Sequence, residues 1–376
     1  MQTIISAKQK IINSLLLNAS FIDNLGLFNG KMGISILFFL LSRKHQNKIF
    51  EDYAHELIDE IYDEISINTS TDFENGLAGI GWGIEYLVQN EFIDADTDEV
   101  LEEFDKQLTK ELAINSTNEM RLLNSLLGHG YYFLKRIQKK QIGGNQNTIR
   151  LKNEQNLIHI IEEFENKLQN NPHLLMEPVF SSKFEKKSNS ADLVNRKNLN
   201  EHPVFDLFWN LPSLIWFMAE IVEQEISSPK VEKVIHHLIA LLLDKGNIPK
   251  QQLSKILLLA SLLKLTRTFI NKNNFTEASS IESIILNLRE EIEKSKLSSE
   301  GFFNEMTIIS GMSGILLLHE ELQSILGNDF LSHDYYKDVL DQSIQKRCDV
   351  LNEIQDDNYG ILTGISSPLL TSTLIE

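Results

Sequence analysis

The chain has 376 residues, 42% of them hydrophobic and 23% charged, the proportions of a protein that folds around a core and not of a disordered one. Lys and Arg number 35 against 53 Asp and Glu, and the resulting charge of -18 repels a phosphate backbone and excludes nucleic acid as a partner. The lone Cys348 forms no internal disulfide, Met1–Leu17 lacks the order of a secretory signal, and the most apolar run, Ile34–Leu41, is far short of the ~20 residues that span a bilayer; a cytoplasmic protein without membrane insertion is expected.

Taken in chain order, the predicted elements repeat. An amphipathic helix, Ala7–Asn18, comes first. The phrase Asn29-Gly30-Lys31-Met32-Gly33-Ile34 then opens an apolar helix, Ile34–Ser42, followed by a more polar one, Phe50–Ile65. Asn75-Gly76-Leu77-Ala78-Gly79-Ile80 repeats the phrase before Ala78–Gln89, and Asp98–Leu112 follows as its polar companion. A partial copy stands at Ser125-Leu126-Leu127-Gly128-His129-Gly130, and a worn one, Asn210-Leu211-Pro212-Ser213-Leu214, precedes Leu214–Gln224 and Lys230–Leu243. The spacing places another copy, stripped of glycine, near Leu259-Ala260-Ser261. Ser310-Gly311-Met312-Ser313-Gly314-Ile315 opens Met312–Leu322, with Tyr335–Leu351 behind it, and Thr363-Gly364-Ile365-Ser366-Ser367 opens the last apolar helix, Ile365–Leu374.

From Gly30 to Gly76 is 46 residues, from Gly76 to Ser125 is 49, and from Gly311 to Gly364 is 53, a unit of nearly constant length. Each unit reads as an inner apolar helix and an outer amphipathic one. An apolar helix at the end of the series needs a partner, which favours closure over an open solenoid. The fold class expected is all-α, an α/α toroid or double-layered helical barrel of about seven hairpins, in a single domain over residues 1–376. Ser125 to Asn210 spans 85 residues, more than one unit, so a loop-rich insertion is expected at about 138–202, with Gln138–Asn153 and Met176–His202 as its loops. The paired small residues leave room for helices to converge, and Asn29 and Asn75 are the expected N-caps.

The phrases Gly30-Lys31-Met32-Gly33-Ile34, Gly76-Leu77-Ala78-Gly79-Ile80-Gly81-Trp82-Gly83 and Gly360-Ile361-Leu362-Thr363-Gly364-Ile365, at this spacing, resemble the lanthionine synthetase C-like family, the cyclases of class I lanthipeptides. The resemblance implies a helical toroid whose zinc ion, held by a Cys of the fifth unit and a Cys-His pair of the sixth, activates a peptide cysteine for addition to dehydrated Ser or Thr. It also implies a His in the fourth unit and an Asp before the third as acid and base.

This sequence departs from the pattern at each of those positions. Ile309-Ser310-Gly311 stands where the Cys-His pair belongs, Trp209 where the fourth-unit His belongs, and Arg121 near the expected Asp; no Cys lies between Gln251 and Phe269. A catalytic zinc needs about three protein ligands, so no metal and no other cofactor is expected. His129, inside the third small-residue phrase, is the candidate catalytic residue. Asp72, Glu74, Trp82, Asp206, Trp209, Glu305 and Asp357, before or within the inner helices, are the candidate substrate-binding residues.

Peptide maturation resembling lanthionine cyclisation, zinc-independent or catalytically degenerate, is the leading expectation, with a precursor peptide and a lanthipeptide dehydratase as partners. Whether the protein is an enzyme stays open at this level. A non-catalytic precursor-binding or scaffold subunit is the alternative within that role, and paired carboxylates on a helical toroid also admit a carbohydrate-active enzyme.

Overall fold

The computed structural model describes residues 6–28, 30–114, 126–138, 146–170, 211–226, 229–244, 248, 252–270, 278–294, 341–342, 344–345, 348 and 366–375. Every regular element among them is helical, and they fall into two compact units, residues 1–95 with 298–376 and residues 96–297.

In the first unit α1 (Ala7–Asn18) starts at Ser6, whose hydroxyl accepts the Gln9 N–H at 3.2 Å, and runs into a short 3-10 turn, Ala19–Phe21. The next helix, α2 (Lys31–His45), is buried without a break from Lys31 to Phe39, as expected of a helix enclosed on all sides. Gln46, at φ 50°, ends it in the left-handed conformation, and Asn47 caps α3 (Lys48–Glu64) by accepting the Ile49 N–H at 3.0 Å. Only Phe50, Ala54, Leu57 and Ile61 of α3 are buried, one stripe at helical spacing that covers α2. The inner and outer roles read from the sequence are therefore real for this pair. Lys31 joins its ends: buried to 3% exposure, it meets Glu60 at 2.8 Å and Glu64 at 2.7 Å. Burial alone would lower the Lys31 pKa, and the hydrogen bonds and charges of the two carboxylates outweigh it and raise it. A second apolar helix, α4 (Leu77–Gln89), lies beside α2, and the last described helix, α13 (Ser366–Ile375), packs on α2 as well.

The second unit holds α5 (Thr97–Val100), α6 (Glu102–Ile114), α7 (Leu126–Ile137), α8 (Gln146–Asn170), α9 (Leu211–Glu223), α10 (Pro229–Leu243), α11 (Gln252–Ile270) and α12 (Ala278–Lys294). The polar helix expected over Asp98–Leu112 is interrupted at buried Leu101, whose ψ of 8° leaves the helical range. Pro229 takes the first position of α10, where its missing N–H costs nothing. The glycine-free copy expected near Leu259-Ala260-Ser261 lies inside α11, with all three residues buried against neighbours in α9 and α12.

One segment differs from the expectation of a loop. Residues 146–153 are the first two turns of the 25-residue α8. Asn153, Leu157, Ile160, Ile161, Phe164, Glu165 and Leu168 are buried and form one helical stripe packed on α7 and α10. Its buried apolar residues begin only at Leu157, and the leading turns carry just Ile149 and Leu151 among polar residues, so they resemble a loop in sequence while the cooperativity of the helix extends through them. The segment Met176–His202 lies outside the described residues.

A buried cation ties α7 to α5 and α6. The Arg136 guanidinium, with 0% side-chain exposure, donates to both carboxylate oxygens of Asp105 at 3.2 and 2.8 Å, to Asp98 at 3.2 Å and to the Thr97 hydroxyl at 3.3 Å. The Tyr132 hydroxyl adds a further bond to Asp105 at 2.6 Å. A fork held by that many acceptors fixes the register of the hairpin more than it stabilises it, because desolvation offsets most of the attraction.

Candidate functional site

The loops that lead into α2 and α4 share one construction. In each, the first helical N–H reaches back seven residues: Lys31 donates to the Asn24 carbonyl and Leu77 to the Ser70 carbonyl, both at 2.8 Å. This fold-back brings backbone against the helix start, and it explains the glycines. A Cβ at Gly30 would stand 2.4 Å from the Asn24 oxygen, and one at Gly76 would stand 2.2 Å from the Ser70 oxygen. Their φ values, -126° and -115°, are open to any residue, so close approach and not backbone conformation selects glycine. Gly79 meets the Phe73 carbonyl in the same way at 2.1 Å.

The expected caps are corrected by this geometry. Gly30 and Gly76 themselves occupy the N-cap positions, without side-chain bonds. Asn75 does not cap α4; its side-chain oxygen accepts from Asn24 Nδ2 at 2.6 Å and so links the two loops, while Asn29 lies outside the described residues. Phe28 N–H donates to the Glu74 carbonyl at 3.2 Å, and a Cβ on Gly26 would come within 2.3 Å of Asn75 Cα.

Three of the sequence candidates are brought together at this place. Asp72 is half-buried and one of its oxygens accepts the Asn75 N–H at 2.7 Å, which shapes the loop. Glu74, next but one along the chain, is only 5% exposed. Half-buried Trp82, on the second turn of α4, stacks on Tyr86 with ring centroids 5.5 Å apart and planes at 13°. It also stands edge-on to Phe73 at 6.3 Å, and Phe73 in turn to Phe28 at 5.8 Å. Tyr86 was not among the sequence candidates, although its position four residues after Trp82 places both on one helical face. Burial raises the Tyr86 phenol above its ordinary range, against an opposing contribution from Arg43.

His129 belongs to the second unit and is 8% exposed in α7, between Gly128 and Gly130. A Cβ on Gly130 would meet the Phe217 ring at 2.9 Å, so α7 and α9 approach closely beside the histidine. The adjacent Tyr131 hydroxyl donates to the Ser213 carbonyl at 3.1 Å, and desolvation, with the nearby Glu220 charge, pushes its phenol well above the ordinary range. Neither ring is a solvent-facing acid or base. Asp206, Trp209, Glu305 and Asp357 lie outside the described residues.

The zinc implied by the resemblance does not fit the donors that α11 supplies. Its middle is Leu257, Leu258, Leu259, Ala260, Ser261, Leu262 and Leu263, all buried, and the one oxygen among those side chains, the Ser261 hydroxyl, donates to the Leu257 carbonyl at 2.9 Å. A zinc site in this position needs a thiolate or imidazole that the helix lacks. Among the described residues no three His, Cys, Asp or Glu side chains come together in a metal-holding group; residues 309–311 lie outside them. None of the described helices is long and apolar enough to cross a membrane.

The model of the lanthionine synthetase C-like protein family matches residues 21–191, the segment with the phrases of Gly30, Gly76 and Gly128. Among solved structures the chain is similar to nisin cyclase, with a TM-score of 0.61 and 15% identity over 94% of this chain and 88% of that one. No curated protein matches the sequence. At this identity the likeness establishes the fold, the all-α, α/α toroid architecture expected from the repeats. The family match covers less than half of the chain, so what is shown is a lanthionine synthetase C-like segment over residues 21–191 within a toroid fold similar to that of nisin cyclase.

Proposed function

We propose that the protein acts in lanthipeptide maturation, that it engages a dehydrated precursor peptide, and that it does so without the zinc ion of its relatives. The observation that carries this reading is the distribution of the likeness along the chain. The family match covers residues 21–191 and ends before the fifth and sixth units, where the ligands belong, and the fifth-unit helix α11 is aliphatic through its centre. What is retained is the frame; what is replaced is the donor set.

In the reaction of the family a cysteine S–H adds across the C=C of a dehydrated residue, sulfur going to Cβ and the proton to Cα, with nothing lost. Zinc lowers the thiol pKa for that step. Without it, a protein still accelerates addition by holding thiol and alkene together, since proximity in a fixed geometry replaces a bimolecular encounter. The enclosure of His129 at 8% exposure favours holding of the precursor over proton transfer by this residue. The saccharide reading finds less support: Asp72 is engaged by Asn75 N–H and Glu74 is buried, so the two are not a carboxylate pair open to a glycosidic bond.

The test is incubation of the purified chain with a dehydrated Ser/Thr/Cys-containing precursor, with binding followed by calorimetry and remaining thiols counted by alkylation and mass spectrometry. Saturable binding, with a thiol count that a zinc chelator leaves unchanged, is the expected outcome. Ring closure abolished by the chelator, or no binding to any dehydrated precursor, overturns the reading.

A further inference from the structure

At the corner where α2 passes into α3, the first unit carries a cleft of about 380 Å³ that no part of the proposed function uses. Two of its lining residues, Gln46 at φ 50° and Glu91 at φ 58°, are the left-handed residues that end α2 and follow α4. Between them stands Arg43. Its guanidinium lies 3.5 Å from the centroid of the Phe92 ring and donates through Nη2 to the Asn90 carbonyl at 2.5 Å, so two contacts fix its plane. Among the described residues no other hydrogen bond or ion pair engages it, and the donors of the fork beyond that bond face the cleft. Among the described residues Gln46 has no side-chain partner, and its amide offers both a donor and an acceptor.

The charge pattern of the corner runs against that of the molecule. Arg43, Lys44, His45 and Lys48 fall within six consecutive positions with no acid among them, in a chain of net charge -18. Lys48 lies on the cleft wall with 77% exposure and one surface ion pair, to Asp52. Glu51 and Glu91 also line the cleft and disfavour a multiply charged anion such as phosphate, while leaving a single carboxylate acceptable on the Arg43 side.

We propose that this cleft binds an acidic peptide segment, with one side-chain carboxylate on the open Arg43 donors, the peptide backbone at the Gln46 amide and a neighbouring aliphatic side chain against Phe92. A pre-oriented guanidinium beside an aromatic wall suits a carboxylate next to an apolar group, and the free amide distinguishes a peptide from a small acid. The site goes beyond the maturation reading and does not depend on it.

A fluorescein-labelled hexapeptide alternating Leu and Asp, titrated with the full chain and read by anisotropy, tests the proposal, with the Leu/Asn peptide as the uncharged control. Saturable binding that weakens with salt is expected, and the Leu/Asn peptide should not bind. Arg43→Lys keeps the charge and loses the fork, and should weaken binding about tenfold. Glu91→Gln removes a like charge and should tighten binding several-fold, a gain that misfolding cannot produce. Lys106→Ala, on α6 in the other unit, should leave it unchanged. Equal binding of the two peptides, indifference to both Arg43→Lys and Glu91→Gln, or no binding of the acidic peptide overturns the assignment.

Discussion

A methyl group added at Gly76 would stand 2.2 Å from the Ser70 carbonyl oxygen, and at Gly79 2.1 Å from that of Phe73; both obstacles are backbone. At Gly83 the obstacle is the Met32 side chain, with Cε at 2.5 Å, a thioether able to change rotamer. Gly76→Ala and Gly79→Ala should therefore each cost about 1–3 kcal/mol or more in urea denaturation. Gly83→Ala, inside α4, should cost less than about 1 kcal/mol, because the gain in helix propensity offsets the displacement of Met32. Equal losses at the three positions would contradict this assignment of the glycines to loop closure. The repeated small residues were legible in the sequence as a motif, but their cause was not. The sequence suggested helices converging and asparagines capping, whereas the partner of each cap glycine is a carbonyl several residues upstream that only the folded loop brings near.

Hairpins were legible where their faces differ in polarity. The apolar α2 and the striped α3 fall where the periodicity places them, and α1 spans the expected Ala7–Asn18. The first turns of α8 were not, because helix propagation does not require apolar residues at every turn. Nor was the Arg136 network: a basic residue in the last turn of a helix reads as a partner for the helix dipole, and its acceptors lie 31 to 39 residues away. Arg136→Ala leaves the Asp105 and Asp98 carboxylates without their cation and should destabilise by about 3–5 kcal/mol, measured by chemical denaturation, whereas an Asp105→Asn background should recover part of the loss. At the other end of the chain, Leu369 of α13 is 2% exposed in the unit that α13 shares with α2. Leu369→Ala should cost about 2–5 kcal/mol, and a change within 0.5 kcal/mol would show that α13 is not part of that core.

For the whole molecule the repeats carried the architecture, because about seven spaced copies constrain a fold far more than any one motif, and the likeness to nisin cyclase over 94% of the chain agrees with them. The site was harder to read. Asp72, Glu74 and Trp82 do gather at one loop, yet their engagement there, with Asp72 spent on a turn and Glu74 enclosed, depends on contacts that no local pattern encodes. The central proposal is that this protein, similar to the lanthionine synthetase C-like family over residues 21–191, works without that family's metal. Elemental mass spectrometry of the purified full chain, exposed to zinc and then dialysed, tests it most directly. The account predicts zinc far below one ion per chain, and a retained stoichiometric zinc would contradict it.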